Sequence, residues 1–340
     1  MDDPGRMHFI DALWMDLDTG NAPIAVGAVL EFAGRAPAIG RVRQRLAEVI
    51  GEAARLRQVP VASRTGVLQS KWADAEPDLD YHVTRETSDD LGASVSDIMC
   101  RPMPADRPLW DLTLVTGYAP REWALVWRIH HSVADGEGVT MLVGRTLDMQ
   151  PDGGETMTDW MVAQALSMRG SADADSEDDS ESSSLDRAWS FARDALGQAV
   201  TTAAMTPATV RGLLRMHPAL PSELSGSPAP GRDWRALHLS LDEVKRAGKS
   251  HGATVNDVLM SAVAGGFREV IVANGLDPSD RTVRAVMPVS LRTPGDVRSN
   301  NQVSMIPIEL PVGEQDPVAR LGSVVRQTRQ GKNSLVPMLV

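Results

Sequence analysis

The chain has 340 residues, 42% apolar and 23% charged, which is enough for two ordinary domains because a single hydrophobic core stops growing near about 250–300 residues. Its formal charge of −11, with no Lys/Arg-rich run to offset it, argues against a nucleic-acid partner. A single cysteine, Cys100, excludes an internal disulfide; it reads as a small buried apolar residue, in a reducing compartment or a fold that does without bridges.

The opening "MDDPGRMHFIDALW" is acidic and has no apolar core, so it is not a secretory signal. The chain also lacks any stretch of about 18 apolar residues that could span a bilayer. The expected location is cytoplasmic, with peripheral contact at an inner membrane or lipid droplet left open. Pro23 to Gly34 is a β-rich run ended by glycine, and Arg41 to Arg57 carries apolar residues at helical spacing. "PLWDLTLVTG" and "REWALVWRIHH" read as two strands separated by a "GYAP" turn, and a helical pattern follows from Gly136 to Leu147.

Thr156 to Met168 and Leu185 to Met216 are helical in character. Between them "GSADADSEDDSESSS", Gly170 to Ser184, has too few apolar side chains to offset its ordering entropy and reads as a flexible, exposed insertion. The Pro/Gly/Ser-rich run from His217 to Gly231 marks the next boundary. Ser240 with Glu243 has capping-box spacing, and Thr254 opens a longer helix in which small residues permit close packing, ended by Asn274-Gly275. "RTVRAVMPVSLR" and "NQVSMIPIELPV" read as strands and "DPVARLGSVVRQTRQ" as a helix. The expected organisation is an N-terminal lobe over 1–150, a helical connection over 151–231 carrying the acidic insertion 170–184, and a C-terminal lobe over 232–340. The apolar ending "NSLVPMLV" suggests that this last lobe is truncated.

The chemistry concentrates in "RIHHSVADGEG", Arg128 to Gly138. If Trp123 to His131 is a strand, His131 shares a face with Trp123, Leu125, Trp127 and Ile129, while His130 faces the other way. Two rings pointing apart do not grip one ion, and no metal site is expected. Burial at the end of an apolar face would keep the His131 ring neutral near pH 7, the state a general base needs. Asp135 could touch that ring or pair with an arginine and hold the loop in shape; the spacing leaves both open. Gly136 and Gly138 permit tight or left-handed backbone. One buried structural histidine beside an exposed one is the competing reading, and the strand-end position, aspartate and glycines shift the balance to catalysis.

"HHSVADG" resembles the HHxxxDG signature of the coenzyme A-dependent acyltransferase superfamily. "RPLWDLTLV", "TVNDVLMSAVAGGFREV", "VMPVSLR" and the opening "FIDALWMDLDTGNAPIAVGAVLEF" resemble, in order, stretches of the bacterial wax ester synthase/diacylglycerol acyltransferase (WS/DGAT) family. The resemblance implies a two-lobed α/β fold of the chloramphenicol acetyltransferase-like kind. It also implies acyl-CoA as co-substrate, diacylglycerol or a fatty alcohol as acceptor, and no further cofactor. It makes His131 the general base, His130 supportive and Asp135 structural, with Arg292 as the guessed partner of Asp135 and Gly136 completing the motif. Pro108, Leu109, Trp110, Asn256 and Asp257 match positions that shape fold and channel; Trp110 reads first as core packing, and Asn256 could equally bond backbone at a helix start. The competing expectations are a weak or inactive homologue that binds acyl chains or a partner protein, and an acyltransferase for carrier-bound substrates.

Overall fold

A computed structural model of the chain describes residues 7, 9–18, 23–61, 70–150, 153–164, 231–290 and 303–333. The chain divides into two compact units, and the described residues of the first are those up to 164 together with 231–235.

The first unit is organised by β6 (Glu122–His130), "EWALVWRIH", whose aromatic and β-branched residues suit a pleated, two-sided surface. It lies inside a four-stranded sheet whose order is β1 (Ala25–Ala33), β6, β5 (Trp110–Thr116) and β4 (Val83–Thr87). β2 (Gln58–Val61) and β3 (Lys71–Asp74) pair separately, and the short helix α3 (Leu79–His82) leads into β4. β1 pairs with β6 antiparallel from Ala25↔His130 to Ala33↔Glu122, and β5 pairs with it antiparallel from Trp110↔Ile129 to Thr116↔Trp123. β4 runs parallel to β5. Both faces of β6 are covered. Leu125, Trp127 and Ile129 pack with Leu112 and Leu114 of β5 against Val42, Leu46 and Ile50 of α2 (Ile39–Glu52) and Val139, Leu142 and Val143 of α5 (Gly136–Arg145). Val126 and Val115 face Val95 and Ile98 of α4 (Leu91–Cys100) on the opposite side. Trp234 joins that second cluster, its backbone N–H donating to Ser96 Oγ at 3.1 Å. At Gly27 a Cβ would lie 2.7 Å from Met99 Sδ, so a larger residue there would have to push that flexible side chain aside.

Three local expectations change. The Arg41 to Arg57 run is not one helix: α2 ends at Glu52, Ala53 leaves the helical region, and a 3-10 turn over Ala54–Arg57 carries the fully buried Leu56 under the core. The strand ends at His130 rather than His131, because the carbonyl of His130 accepts from the Val133 N–H at 2.9 Å and closes a turn. Cys100 is half-buried, at the end of α4. Thr156 begins a helix followed over 157–164; the rest of that segment, the Leu185 to Met216 run, the acidic insertion and residues 334–340 lie outside the described residues.

In the second unit β7 (Val283–Ser290) pairs antiparallel with β8 (Val303–Leu310) over helices Val255–Ala273 and Pro317–Asn333, with Ala264, Ile271, Met287 and Ile308 in the core. Ser240 Oγ caps helix Leu241–Lys249 by accepting from the Glu243 N–H, and Thr254 and Asp257 form a reciprocal capping box. A Cβ at Gly265 would lie 2.9 Å from the Arg320 guanidinium of the neighbouring helix.

Under α4, Arg128 is 3% exposed and its Nε donates to both carboxylate oxygens of Asp111, at 3.2 and 3.1 Å. Removing one partner of a buried pair leaves the other charge uncompensated. Asp111→Ala is therefore expected to lower stability by about 3–5 kcal/mol, and the double variant Asp111→Leu/Arg128→Met to recover most of that loss. Denaturant unfolding of the three proteins checks it; equal midpoints for the wild type and Asp111→Ala would refute it.

Candidate active site

The histidine pair sits where β6 loses its neighbours. The His130 N–H donates to the Leu109 carbonyl on the β5 side and the His131 N–H donates to the Ile24 carbonyl on the β1 side, each at 2.9 Å. Consecutive amides are thus tied to opposite strands, as the pleat requires, and the backbone carrying both rings is fixed from two directions. The Pro108-Leu109-Trp110 block supplies one of those ties. Leu109 and Trp110 are buried, and the Trp110 indole N–H donates to the Leu56 carbonyl at 2.9 Å while its ring stacks on His82 at 4.5 Å. Trp110 is a packing residue. Pro108, also buried, gives its carbonyl to the Trp110 N–H at 3.0 Å.

His130 is buried with both ring nitrogens engaged. Nδ1 accepts the backbone N–H of Ser132 at 3.1 Å and lies 2.8 Å from Ser132 Oγ, while Nε2 lies 3.2 Å from Asp18 Oδ2. An Nδ1 that accepts an amide proton carries none itself, so the proton of the neutral ring is on Nε2 and is donated to Asp18. Burial pushes the ring below the ordinary imidazole range, with the Asp18 carboxylate pulling the other way. His130 has no nitrogen left for a substrate hydroxyl.

His131 differs. It is half-buried, and its ring stacks on Trp14 at a centroid distance of 4.4 Å and an interplanar angle of 23°. Burial again lowers its pKa; a hydrogen bond to its own backbone and the Asp135 carboxylate oppose that. The ring is neutral at pH 7, the state in which imidazole accepts a proton. Strand alternation predicts rings on opposite faces; since the pairing ends at His130, both rings instead meet side chains four residues apart, Trp14 on α1 (Phe9–Leu17) and Asp18 just beyond it.

Asp135 takes a third role beside the two that its spacing allowed. Its Oδ1 accepts the Gly138 N–H at 2.7 Å and caps α5, within electrostatic reach of His131. Gly136, the first residue of α5, does not adopt positive φ, so left-handed backbone is not why glycine stands there. Arg292, the guessed partner of Asp135, lies outside the described residues. Asn256 and Asp257 belong to the second unit. The Asn256 side-chain amide donates to Met287 Sδ at 2.9 Å rather than to backbone, and Asp257 Oδ1 accepts the Thr328 hydroxyl at 2.8 Å, joining two helices. Among the described residues no group of three or more His, Cys, Asp or Glu could hold a metal ion.

Residue-by-residue reading of the sequence assigns no role to Trp14 or Asp18, more than 110 positions before the histidines. The available signal is faint: Asp11, Trp14 and Asp18 fall at i, i+3 and i+7, one face of a helix, and Asp11 is buried there.

The family model for the "Wax ester synthase/diacylglycerol acyltransferase catalytic domain" matches residues 7–259. Two relatives in Mycobacterium tuberculosis, both named as probable diacylglycerol O-acyltransferases, are 26% and 27% identical over 91% and 92% of this chain. The chain spans 66% and 70% of their respective lengths. Among solved structures, a wax ester synthase/diacylglycerol acyltransferase from Marinobacter aquaeolei is similar with a TM-score of 0.61 and 20% identity, over 96% of this chain and 72% of that one. The first condensation domain of a calcium-dependent antibiotic synthetase is similar at a TM-score of 0.57 and 16% identity, over 96% and 74%. These likenesses show the coenzyme A-dependent acyltransferase fold, as the motif order implies.

A depressed His131 pKa has a measurable sign. In an NMR titration the His131 ring is expected to protonate below 6.5, and Asp135→Asn, which keeps a capping oxygen but removes the carboxylate charge, to lower the midpoint further. A midpoint at or above 6.5 in the wild type would contradict the stated effect of burial.

Proposed function

Because this chain belongs to the wax ester synthase/diacylglycerol acyltransferase family, we propose that it transfers a long-chain acyl group from acyl-CoA to the hydroxyl of diacylglycerol or a fatty alcohol, with His131 as general base. The neutral His131 ring takes the hydroxyl proton as the alcohol oxygen attacks the thioester carbonyl carbon. The carbon–sulfur bond then breaks, the imidazolium returns the proton to the departing thiolate, and ester and free CoA result. The supporting observation is the contrast between adjacent rings: His130 is buried with both nitrogens occupied, while His131 is only half-buried, its ring laid against Trp14. Asp135 and Gly136 serve by starting α5 directly after the turn that carries the base.

The acceptors named are lipids. No helix among the described residues is long and apolar enough to cross a membrane. Access to acceptor at the inner leaflet or a lipid droplet would then be by peripheral contact, and with a net charge of −11 attraction to anionic headgroups would contribute little.

Free-thiol release from palmitoyl-CoA with 1,2-dioleoylglycerol or hexadecanol as acceptor tests the reaction. His131→Ala is expected to lower turnover by roughly 10²–10⁴-fold, in line with the loss of a positioned general base. Turnover equal to that of the wild type would remove His131 from this role.

A further inference from the structure

The first helix makes contacts that core packing alone does not require. Its segment buries Asp11 and brings Asp18 to a buried histidine, although a helix lying on a core normally turns its carboxylates to water. Trp14, one turn before Asp18, covers the other histidine. Ser132, fully buried, ties the turn to the same helix, its hydroxyl lying 3.3 Å from Met15 Sδ. Every contact of this segment just described, apart from Asp11, falls within the three residues His130, His131 and Ser132.

We propose that Trp14 and Asp18 are positioning residues for the His131 base: Trp14 sets the plane of its ring by stacking, and Asp18 sets the turn that carries it through His130. The second route is a chain of single hydrogen bonds. Asp18 accepts from Nε2 of His130 and so keeps the proton there; Nδ1 is left free to accept the Ser132 N–H, which closes the backbone on the far side of His131. Moving the proton to Nδ1 would set two N–H groups against each other at 3.1 Å and open that turn. Neither residue touches the reacting atoms. The cost of losing either is a misplaced base, for which a displacement of about 1 Å is worth as much as 10²-fold in rate.

This inference rests on the proposed role of His131, and its test separates the two. Turnover and KM for acyl-CoA are measured in Trp14→Leu, Trp14→Phe, Asp18→Ala and Asp18→Asn, with thermal unfolding confirming that each is folded. In parallel, ¹⁵N-detected NMR of histidine-labelled protein reads the His130 tautomer independently of activity. The expected result is a fall in kcat of roughly tenfold or more in Trp14→Leu and Asp18→Ala with KM nearly unchanged, and recovery of most of kcat in Trp14→Phe. His130 should be in the Nε2–H form in the wild type and should lose it in Asp18→Ala. The proposal is overturned if kcat in Trp14→Leu and Asp18→Ala stays near the wild-type value, if Phe serves no better than Leu at position 14, or if the His130 tautomer ignores Asp18. Asp18→Asn keeps the shape of the side chain, so a lost tautomer in this variant assigns the effect to the carboxylate, while a kcat and tautomer unchanged in both Asn and Ala variants would overturn the Asp18 route. Absence of turnover in the wild type, with the tautomer still governed by Asp18, would instead count against the acyltransferase reading and leave the positioning geometry standing.

Discussion

Two backbone hydrogen bonds, from the His130 amide to Leu109 and from the His131 amide to Ile24, hold together most of what makes this site. Each contributes only about 0.5–1.5 kcal/mol net to stability. Their value is geometric. They run in opposite directions from the last residue of the strand and the one after it, and the strand is paired with β1 as far as His130 and with β5 as far as Ile129, so it cannot slip without breaking both. The buried face of Trp127 and Ile129 and the Arg128–Asp111 pair fix the same register from above and below the sheet.

Everything that distinguishes the two histidines follows from where that pairing stops. Past His130 the chain must turn, and the turn is built from groups near at hand: the His130 carbonyl to Val133, the His130 ring to Ser132, and Asp135 as the cap that lets α5 begin. His130 is the inner residue of this turn and spends Nδ1 on it and Nε2 on Asp18. His131 is the outer one, with its ring laid against Trp14 by a contact of the kind worth about 0.5–1.5 kcal/mol. Burial favours the neutral form of both rings, for different ends: it preserves an acceptor in the Ser132 bond at His130, and it leaves the His131 ring unprotonated and able to take a proton.

The sequence blocks that surround the histidine motif divide by what they hold. Leu109 and Trp110 hold the strand end itself. Asp257 holds a helix start and a helix pair in the second unit, where Thr254 and Thr328 share its two oxygens. Asn256, which as a helix-start residue could have bonded backbone, reaches a methionine sulfur on β7 instead, because its position at the second residue of the helix points it at the sheet.

The β-rich runs of β1, β5 and β6, the helix N-caps at Ser240 and Thr254, and the Gly275 stop, with φ +73, are local effects of a few neighbouring residues, and for that reason they were legible from the chain alone. So was the motif that nominates His131. The end of β6 at His130, the division of labour between the two rings, and the arrival of Trp14 and Asp18 from over 110 residues away were decided by tertiary structure. A tautomer depends on which donors and acceptors surround a ring, and those were supplied by a helix whose face carries only a weak pattern of its own. Spacing within one segment has no means of expressing a contact whose other half is folded in from a distant part of the chain.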